Sequence, residues 1–457
     1  MYKIESISIT QYLFKGGLWA LVGKVASSFL NLILSALLTR FFSPDNVGVF
    51  FLALSISTFF SFFALSGLEN TLLRFISEAV GNGQVDRLKS ILIKSSVIFI
   101  LSSIIMVGIV YAGAGNWVAQ KVFQSAILGQ AAGFVAIWLV LLSWKTLFHA
   151  IFRAFQDIRS AVVFGGLLSD LIVIVLLIFN WVLIREISLN NVFMFVVISG
   201  MVNFILAIRG IVVKINGIPG NGDNQVTYRE IVEHSWPLML NAITMYIMTK
   251  ADLWILAAFR SDAEVAIYGT VVWLVMITSI SLAIVNTVLP PLIGRLNVQN
   301  EKEKLERLMR TIASVTFLPA FIILIIFIFF GEEVLTFVFG EYYSSGFNIL
   351  IILCIGQVVN VAAGSCGYSL IMSGYQRTIM AISILTSIIG VSVGILSVQN
   401  YGSIGVAVGS TVGVIFQQAL MMVSVRYRCG YWTHVSIPYL LEAVPQLLNF
   451  FKNKKKS

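Results

Sequence analysis

Charge is scarce in this chain. Asp, Glu, Lys and Arg make up 11% of its 457 residues, where a soluble domain carries about 25%. Hydrophobic residues reach 58% and the mean hydropathy is +0.93. Such a chain cannot cover a folded surface with polar groups, so its solvent is lipid. A soluble enzyme and a disordered protein are excluded. Cysteine is scarce too: Cys354, Cys366 and Cys429 form neither a disulfide framework nor a metal-ligand pattern. The histidines are His149, His234 and His434, too scattered for a metal motif, so no metal and no cofactor is expected. No nucleophile elbow and no nucleotide-hydrolysing domain occurs. Alternating segments of about ten residues, the mark of a membrane β-barrel, are missing as well.

What is present is a series of apolar windows of about 20 residues, each long enough to cross about 30 Å of hydrocarbon as helix. Twelve occur, near 16–39, 47–68, 91–113, 125–148, 161–184, 191–212, 232–258, 265–289, 311–331, 346–372, 378–398 and 403–425. An even number puts both ends on one side. Most of the 30 Lys and Arg fall at the two ends and in the loops on that same side. Only Arg40, Lys121, Arg185 and Arg260 fall opposite, while Lys24, Lys145 and Lys250 lie inside spans. Basic loops stay cytoplasmic, so both termini are expected inside. The net charge of +9 is thereby a topology signal, and no nucleic-acid partner is expected. The N-terminal stretch does not read as a cleaved signal peptide, because it is long, contains Lys24 and lacks a cleavage site.

The chain repeats itself. Ser43-Pro44-Asp45-Asn46-Val47-Gly48-Val49-Phe50 returns as Ser261-Asp262-Ala263-Glu264-Val265-Ala266-Ile267-Tyr268, an offset of 218. Asn70-Thr71-Leu72-Leu73 returns as Asn286-Thr287-Val288-Leu289 at 216, and Phe155-Gln156 as Tyr375-Gln376 at 220. Each match sits at the same place in a six-span count. The expectation is an N-terminal six-helix bundle over 1–213, a linker over 214–228, a homologous bundle over 229–428 and a tail over 429–457. The tail has an apolar stretch with Pro438 and Pro445, then Lys452, Lys454, Lys455 and Lys456. It is too short to span and reads as interfacial, meeting anionic membrane lipids. Paired halves of this kind serve alternating-access transport.

A Lys, Arg or Asp at mid-membrane costs about 2.5–3.5 kcal/mol on insertion scales, so such residues need a watery cavity or a partner. In the first span Lys24, Ser28, Asn31 and Ser35 share one helical face. In the fourth, Lys145, His149 and Arg153 recur every four residues and form a basic ridge. Their counterparts at offset 220 are Ser365, Ser369 and Ser373. In the seventh, His234, Asn241 and Asp252 share a face with Lys250 nearly opposite, unless Pro237 kinks the helix. The fifth carries Asp170, open to pairing with a base of the fourth span or to carrying a proton. The tenth carries Gln357 and Asn360. The substrate-binding candidates are therefore Lys24, Ser28, Asn31, Lys145, His149, Arg153, Asn241, Gln357 and Asn360. Asp170, Asp252 and Lys250 are the coupling candidates. A cavity with a cationic wall suits a phosphate or pyrophosphate. Competing readings are a snorkelling Lys24, a positive-inside anchor at Arg153 and a plain bundle hydrogen bond at His149. Gly405, Gly409 and Gly413, spaced by four, suit close packing of the last helix.

Three ordered motifs carry a family resemblance. Leu38-Thr39-Arg40-Phe41-Phe42-Ser43-Pro44-Asp45-Asn46-Val47-Gly48 is the first. Lys250-Ala251-Asp252-Leu253-Trp254-Ile255-Leu256 leading to Val265-Ala266-Ile267-Tyr268 is the second, with Ala258 and Ala266 where glycine is usual. Phe339-Gly340-Glu341-Tyr342-Tyr343 is the third. With them the whole chain resembles the bacterial polysaccharide and oligosaccharide flippases of the multidrug/oligosaccharidyl-lipid/polysaccharide exporter superfamily. The resemblance implies an all-α integral membrane fold of about 12 helices, two six-helix bundles around a central cavity. It implies a flippase, not an enzyme, in the bacterial inner membrane. Such a flippase moves a lipid-linked oligosaccharide built on polyprenyl pyrophosphate to the outer leaflet, with polysaccharide polymerase and chain-length machinery as candidate partners. A multidrug or ion antiporter of the same superfamily is the alternative, and a basic cavity argues against a cationic drug. A membrane polymerase or ligase would need a large outer loop, which this chain lacks. A scaffold without transport fits the polar stripes poorly.

Overall fold

The structure, a computed structural model, describes residues 9–117, 120, 121, 123, 125, 128, 129, 132–183, 188–216, 226–287, 289–299 and 301–439. Arg185, the middle of the expected linker and the lysine-rich end of the tail lie outside these residues. The described chain is helical, with no strand. In order it forms α1 (Ile9–Phe41), α2 (Pro44–Leu65), α3 (Leu68–Gly81), α4 (Val85–Ile109), α5 (Ala132–Ala154), α6 (Ile158–Leu183), α7 (Leu189–Asn216), α8 (Tyr228–Phe259), α9 (Asp262–Val285), α10 (Leu289–Val298), α11 (Lys302–Phe339), α12 (Phe347–Ala363), α13 (Cys366–Met372) and α14 (Gln376–Cys429).

Among the described residues ten helices are long and apolar enough to cross a membrane singly. Helix α8 adds an eleventh as a pair bent by 54° between Ile247 and Thr249. The twelfth is hidden in α14, whose 54 residues would run about 80 Å if straight. They do not run straight, because Gly402 adopts φ 56 and ψ −135 and folds the helix back on itself. The two arms press together along glycines: a Cβ on Gly409 would stand 2.6 Å from the Gly390 carbonyl oxygen and the Gly394 nitrogen. Gly405, Gly409 and Gly413 thus do the close packing their spacing announced, each facing the arm that precedes Gly402.

Two expectations need correction. The bend in α8 falls ten residues past Pro237 and separates the arm that carries His234 and Asn241 from the arm that carries Asp252, so the three do not lie along one straight helical face. The tenth span is also broken: α12 ends at Ala363, Gly364 turns with φ 74, and α13 restarts at Cys366. The serine ridge therefore begins at a helix break, where the fourth span runs unbroken through Lys145, His149 and Arg153.

The chain divides into two compact units, Met1–Lys250 with Ser261–Ala266, and Ala251–Arg260 with Ile267–Ser457. In the first, α3 is an amphipathic helix that buries Leu68, Leu72, Phe75 and Ile76 against the Leu147, Phe148 and Ile151 face of α5. The two repeated turns meet here. A Cβ on Gly48 would stand 1.8 Å from the Asp262 carbonyl oxygen, and Ser125 Oγ donates to Asp262 Oδ2 at 2.6 Å. In the second unit the segment after α14 is built into the protein. Tyr431 and Thr433 are buried. Thr433 Oγ1 donates to the Ala363 carbonyl at 2.9 Å, the Val435 N–H to the Ala362 carbonyl at 2.8 Å, and the Ser436 N–H to Ser314 Oγ at 3.0 Å. Carbonyls freed at the end of α12 thereby gain partners, which helix termini inside a membrane protein require.

Candidate functional site

Helix α5 is held in rotation by its aromatic face. Trp144 sits among Phe99, Phe204 and Phe148, with ring centroids at 4.6, 4.8 and 5.3 Å. Leu147, Phe148 and Ile151 are buried on the same side. With that face fixed, Lys145 and His149, one turn apart, meet α6. Lys145 Nζ lies 3.2 Å from Asp170 Oδ1, and both side chains keep about a fifth of their surface accessible, 18% and 22%. Of the two roles open to Asp170, pairing with a base of the fourth span is the one the geometry displays.

His149 is seated by a widened turn of α6 over Val163–Leu167. A Cβ on Gly165 would stand 2.7 Å from His149 Nδ1, so only glycine lets the ring lie against the backbone. Nδ1 lies 3.0 Å from the Ala161 carbonyl oxygen and donates to it. This fixes the tautomer and leaves Nε2 as the nitrogen without a bonding partner among the described residues. Asn203 Nδ2 donates to the Phe164 carbonyl at 2.9 Å, so α7 supports the same turn. Widened turns of this kind recur at functional sites of helices.

Arg153 is exposed at the end of the ridge. Both it and His149 act electrostatically on a carboxyl that the sequence reading passed over, Glu69 on the first turn of α3. Burial pushes the Glu69 carboxyl above the usual range, while His149 and Arg153 pull it back. Its signal was the repeat itself: Glu69 immediately precedes Asn70-Thr71, and at offset 216 its counterpart is Val285. The first unit therefore holds three bases in a row and two carboxylates beside them.

The other candidates are placed as follows. Lys24 is exposed on α1 and has no ion-pair partner among the described residues. Ser28 Oγ donates to the Lys24 carbonyl at 2.9 Å and Asn31 Nδ2 to the Ser27 carbonyl at 2.8 Å, so both bond their own helix. Asn241 is exposed on α8 and Lys250 half-buried. In the second unit Asp252 accepts from the Tyr268 hydroxyl at 2.9 Å and from the Leu253 N–H at 2.8 Å. Asn360 Nδ2 donates to Gln357 Oε1 at 3.1 Å. Ser365 is buried and donates to Asn286 Oδ1, and Ser369 Oγ donates to the Ser365 carbonyl at 3.2 Å. The basic ridge and Asp170 are thus brought together in the first unit, whereas the second-unit amides and serines bond one another.

Several known proteins are similar to this chain. The family described as "Polysaccharide biosynthesis protein" matches residues 13–297, and the family described as MatE matches residues 237–396. The capsular polysaccharide biosynthesis protein CapF of Staphylococcus aureus is 23% identical over 226 residues, 49% of this chain and 57% of that protein. The match thus spans little more than half the length of that relative. Among solved structures, the lipid II flippase MurJ in an inward closed conformation superposes with TM-score 0.71 at 14% identity, covering 96% of this chain and 93% of that one. An inward-facing multidrug resistance transporter of the MATE family superposes with TM-score 0.70 at 14% identity, covering 88% and 94%. A MOP superfamily transporter from Pyrococcus furiosus, reported for the reversed polarity of its binding pocket, gives 0.63 at 13%, covering 92% and 96%. At these identities the structures establish the shared fold.

Proposed function

We propose a function from one premise: this chain belongs to the polysaccharide biosynthesis protein family, in a multi-pass membrane fold shared with MOP superfamily transporters. The function is that of a flippase. It carries a lipid-linked oligosaccharide, joined to polyprenol through pyrophosphate, from the cytoplasmic to the outer leaflet of a bacterial cell membrane. Both termini face the cytoplasm, as the distribution of Lys and Arg supports.

The observation that carries this reading is the ridge Lys145, His149 and Arg153, set on one face of α5 inside a membrane protein. Cations in hydrocarbon are costly and persist where they meet water or a partner, and a substrate anion is one such partner. A pyrophosphate offers several acceptor oxygens, which suit an ammonium and an imidazole four residues apart. Lys24 is a fourth candidate cation in the first unit. The sugars call for groups that exchange hydrogen bonds, the role proposed for Ser28, Asn31, Asn241, Gln357 and Asn360. Lys250 and Asp252 remain coupling candidates. The relative's role in capsular polysaccharide biosynthesis fits such a substrate.

Drug export is the second reading, supported by the MatE match over residues 237–396. The two separate in proteoliposomes. Translocation of a polyprenyl-pyrophosphate oligosaccharide should require the protein, and Lys145→Ala should reduce it at least 100-fold while membrane insertion stays normal. Undiminished flux in that variant removes the anion-binding ridge. Efflux of cationic dyes without lipid movement puts the exporter in its place.

A further inference from the structure

Lys145 would be an uncompensated cation in the membrane if it stood alone, at about 2.5–3.5 kcal/mol on insertion scales. It does not stand alone, because Asp170 reaches it from α6. The pair is also not sealed. Lys145 Nζ has Asp170 Oδ1 as its one bonding partner among the described residues, and Asp170 Oδ2 has none. Gly166 puts bare backbone beside them: a Cβ there would lie 3.6 Å from Lys145 Cε and 3.8 Å from both Lys145 Nζ and Asp170 Oδ2. A purely structural ion pair would be closed over by further hydrogen bonds, since buried charges need their remaining sites satisfied. This one keeps an Asp170 oxygen and ammonium protons without a partner among the described residues, and about a fifth of each side chain stays accessible.

We propose that Asp170 is a displaceable counterion. It neutralises Lys145 while the site is empty and gives the ammonium up to a phosphate oxygen of the arriving diphosphate. When the substrate leaves, the carboxylate takes Lys145 back, so the empty protein changes conformation without a bare cation. This rests on the proposed diphosphate site and assigns Asp170 a positioning role within it. Lysine is suited to the exchange, because its ammonium is a point charge that any anionic oxygen satisfies, unlike the bidentate fork of arginine. The other bases along the ridge do not compete for the pair: His149 is tied to the Ala161 carbonyl, and Arg153 is exposed two turns on.

The test uses the purified full chain with inorganic pyrophosphate as probe, read by calorimetric titration and thermal unfolding. Asp170→Asn should bind pyrophosphate about tenfold more tightly than wild type, because the internal competitor is gone. It should melt lower than wild type without the anion and regain that loss at saturating pyrophosphate, at matched ionic strength. Unchanged or weaker binding overturns the proposal, as does a melting loss that pyrophosphate fails to restore. Should Asp170→Asn not fold, the neutral pair Lys145→Gln/Asp170→Asn serves instead. That double variant should fold without rescue and bind at least tenfold more weakly; a double variant that binds like wild type overturns the proposal. Wild-type protein that ignores pyrophosphate overturns the diphosphate site itself, and the counterion role with it.

Discussion

The same stretch of the repeat has become two different things in the two compact units. In the first, the fourth-span positions are Lys145, His149 and Arg153, on an unbroken helix. In the second, at offset 220, they are Ser365, Ser369 and Ser373, and they start at a helix break. Lys145 is partly accessible and paired with Asp170, and His149 and Arg153 lower the proton affinity of the Glu69 carboxyl. The serines at 365 and 369 are buried and bond to Asn286 and to their own backbone. Where the first unit has Asp170, offset 220 gives Gly390, a residue of the glycine seam in α14. A duplicated bundle has thus kept its polar positions and spent them differently, on charge in one copy and on packing in the other.

The sharpest way to break this comparison is to exchange the residues. Ser365→Lys should prevent folding, because it forces an ammonium into a site 3% exposed whose one partner is an amide oxygen. An uncompensated buried charge costs several kcal/mol, a large fraction of a protein's net stability. Lys145→Ser, by contrast, leaves Asp170 unpaired at a site about a fifth accessible, so it should fold with a lower melting temperature and lose transport. Size-exclusion profiles of the two variants in detergent check this, and a monodisperse Ser365→Lys protein would end the distinction. A middle-sized effect is expected at the seam. Gly409→Val should lower stability by about 1–3 kcal/mol, the range for overpacking, since its Cβ meets backbone at 2.6 Å. Thermal unfolding measures it, and an unchanged melting temperature would mean that the hairpin arms are free to part.

The smallest effect concerns Glu69. Its carboxyl is held above the ordinary range, chiefly by burial, so the folded state binds its proton more tightly than the unfolded chain does. Stability from this group is therefore full below the unfolded value of about 4.5 and is lost as pH rises through the folded value. Glu69→Gln should flatten the fall in melting temperature between pH 4.5 and neutrality. Parallel profiles for wild type and variant would remove Glu69 from the electrostatics of the ridge.

Much of this was legible beforehand, for reasons that lie in local chemistry. Span number follows from hydrocarbon thickness, and the twelve windows have their counterparts in the described helices once α8 and α14 are resolved into their parts. The repeat and the ridge are spacing facts, and the glycine seam follows from a four-residue period. Glu69 was not legible as a partner because nothing local ties α3 to α5; their packing does so, through Leu68, Leu72 and Phe148. Nor was the widened turn of α6, since Gly165 and Gly166 read equally well as tolerated glycines in a span.

Composition and the apolar runs alone determined the solvent and the helical class, because burying a backbone in lipid leaves few solutions and the runs record them directly. Tertiary structure alone decided which polar residues are free to act. Lys145 and Ser365 differ in the chain only as residue types at matching positions. One became an accessible ion pair across α5 and α6, and the other a buried cap beside Asn286. The difference lies in which neighbour each helix meets, and that depends on long-range packing, which the one-dimensional pattern does not contain.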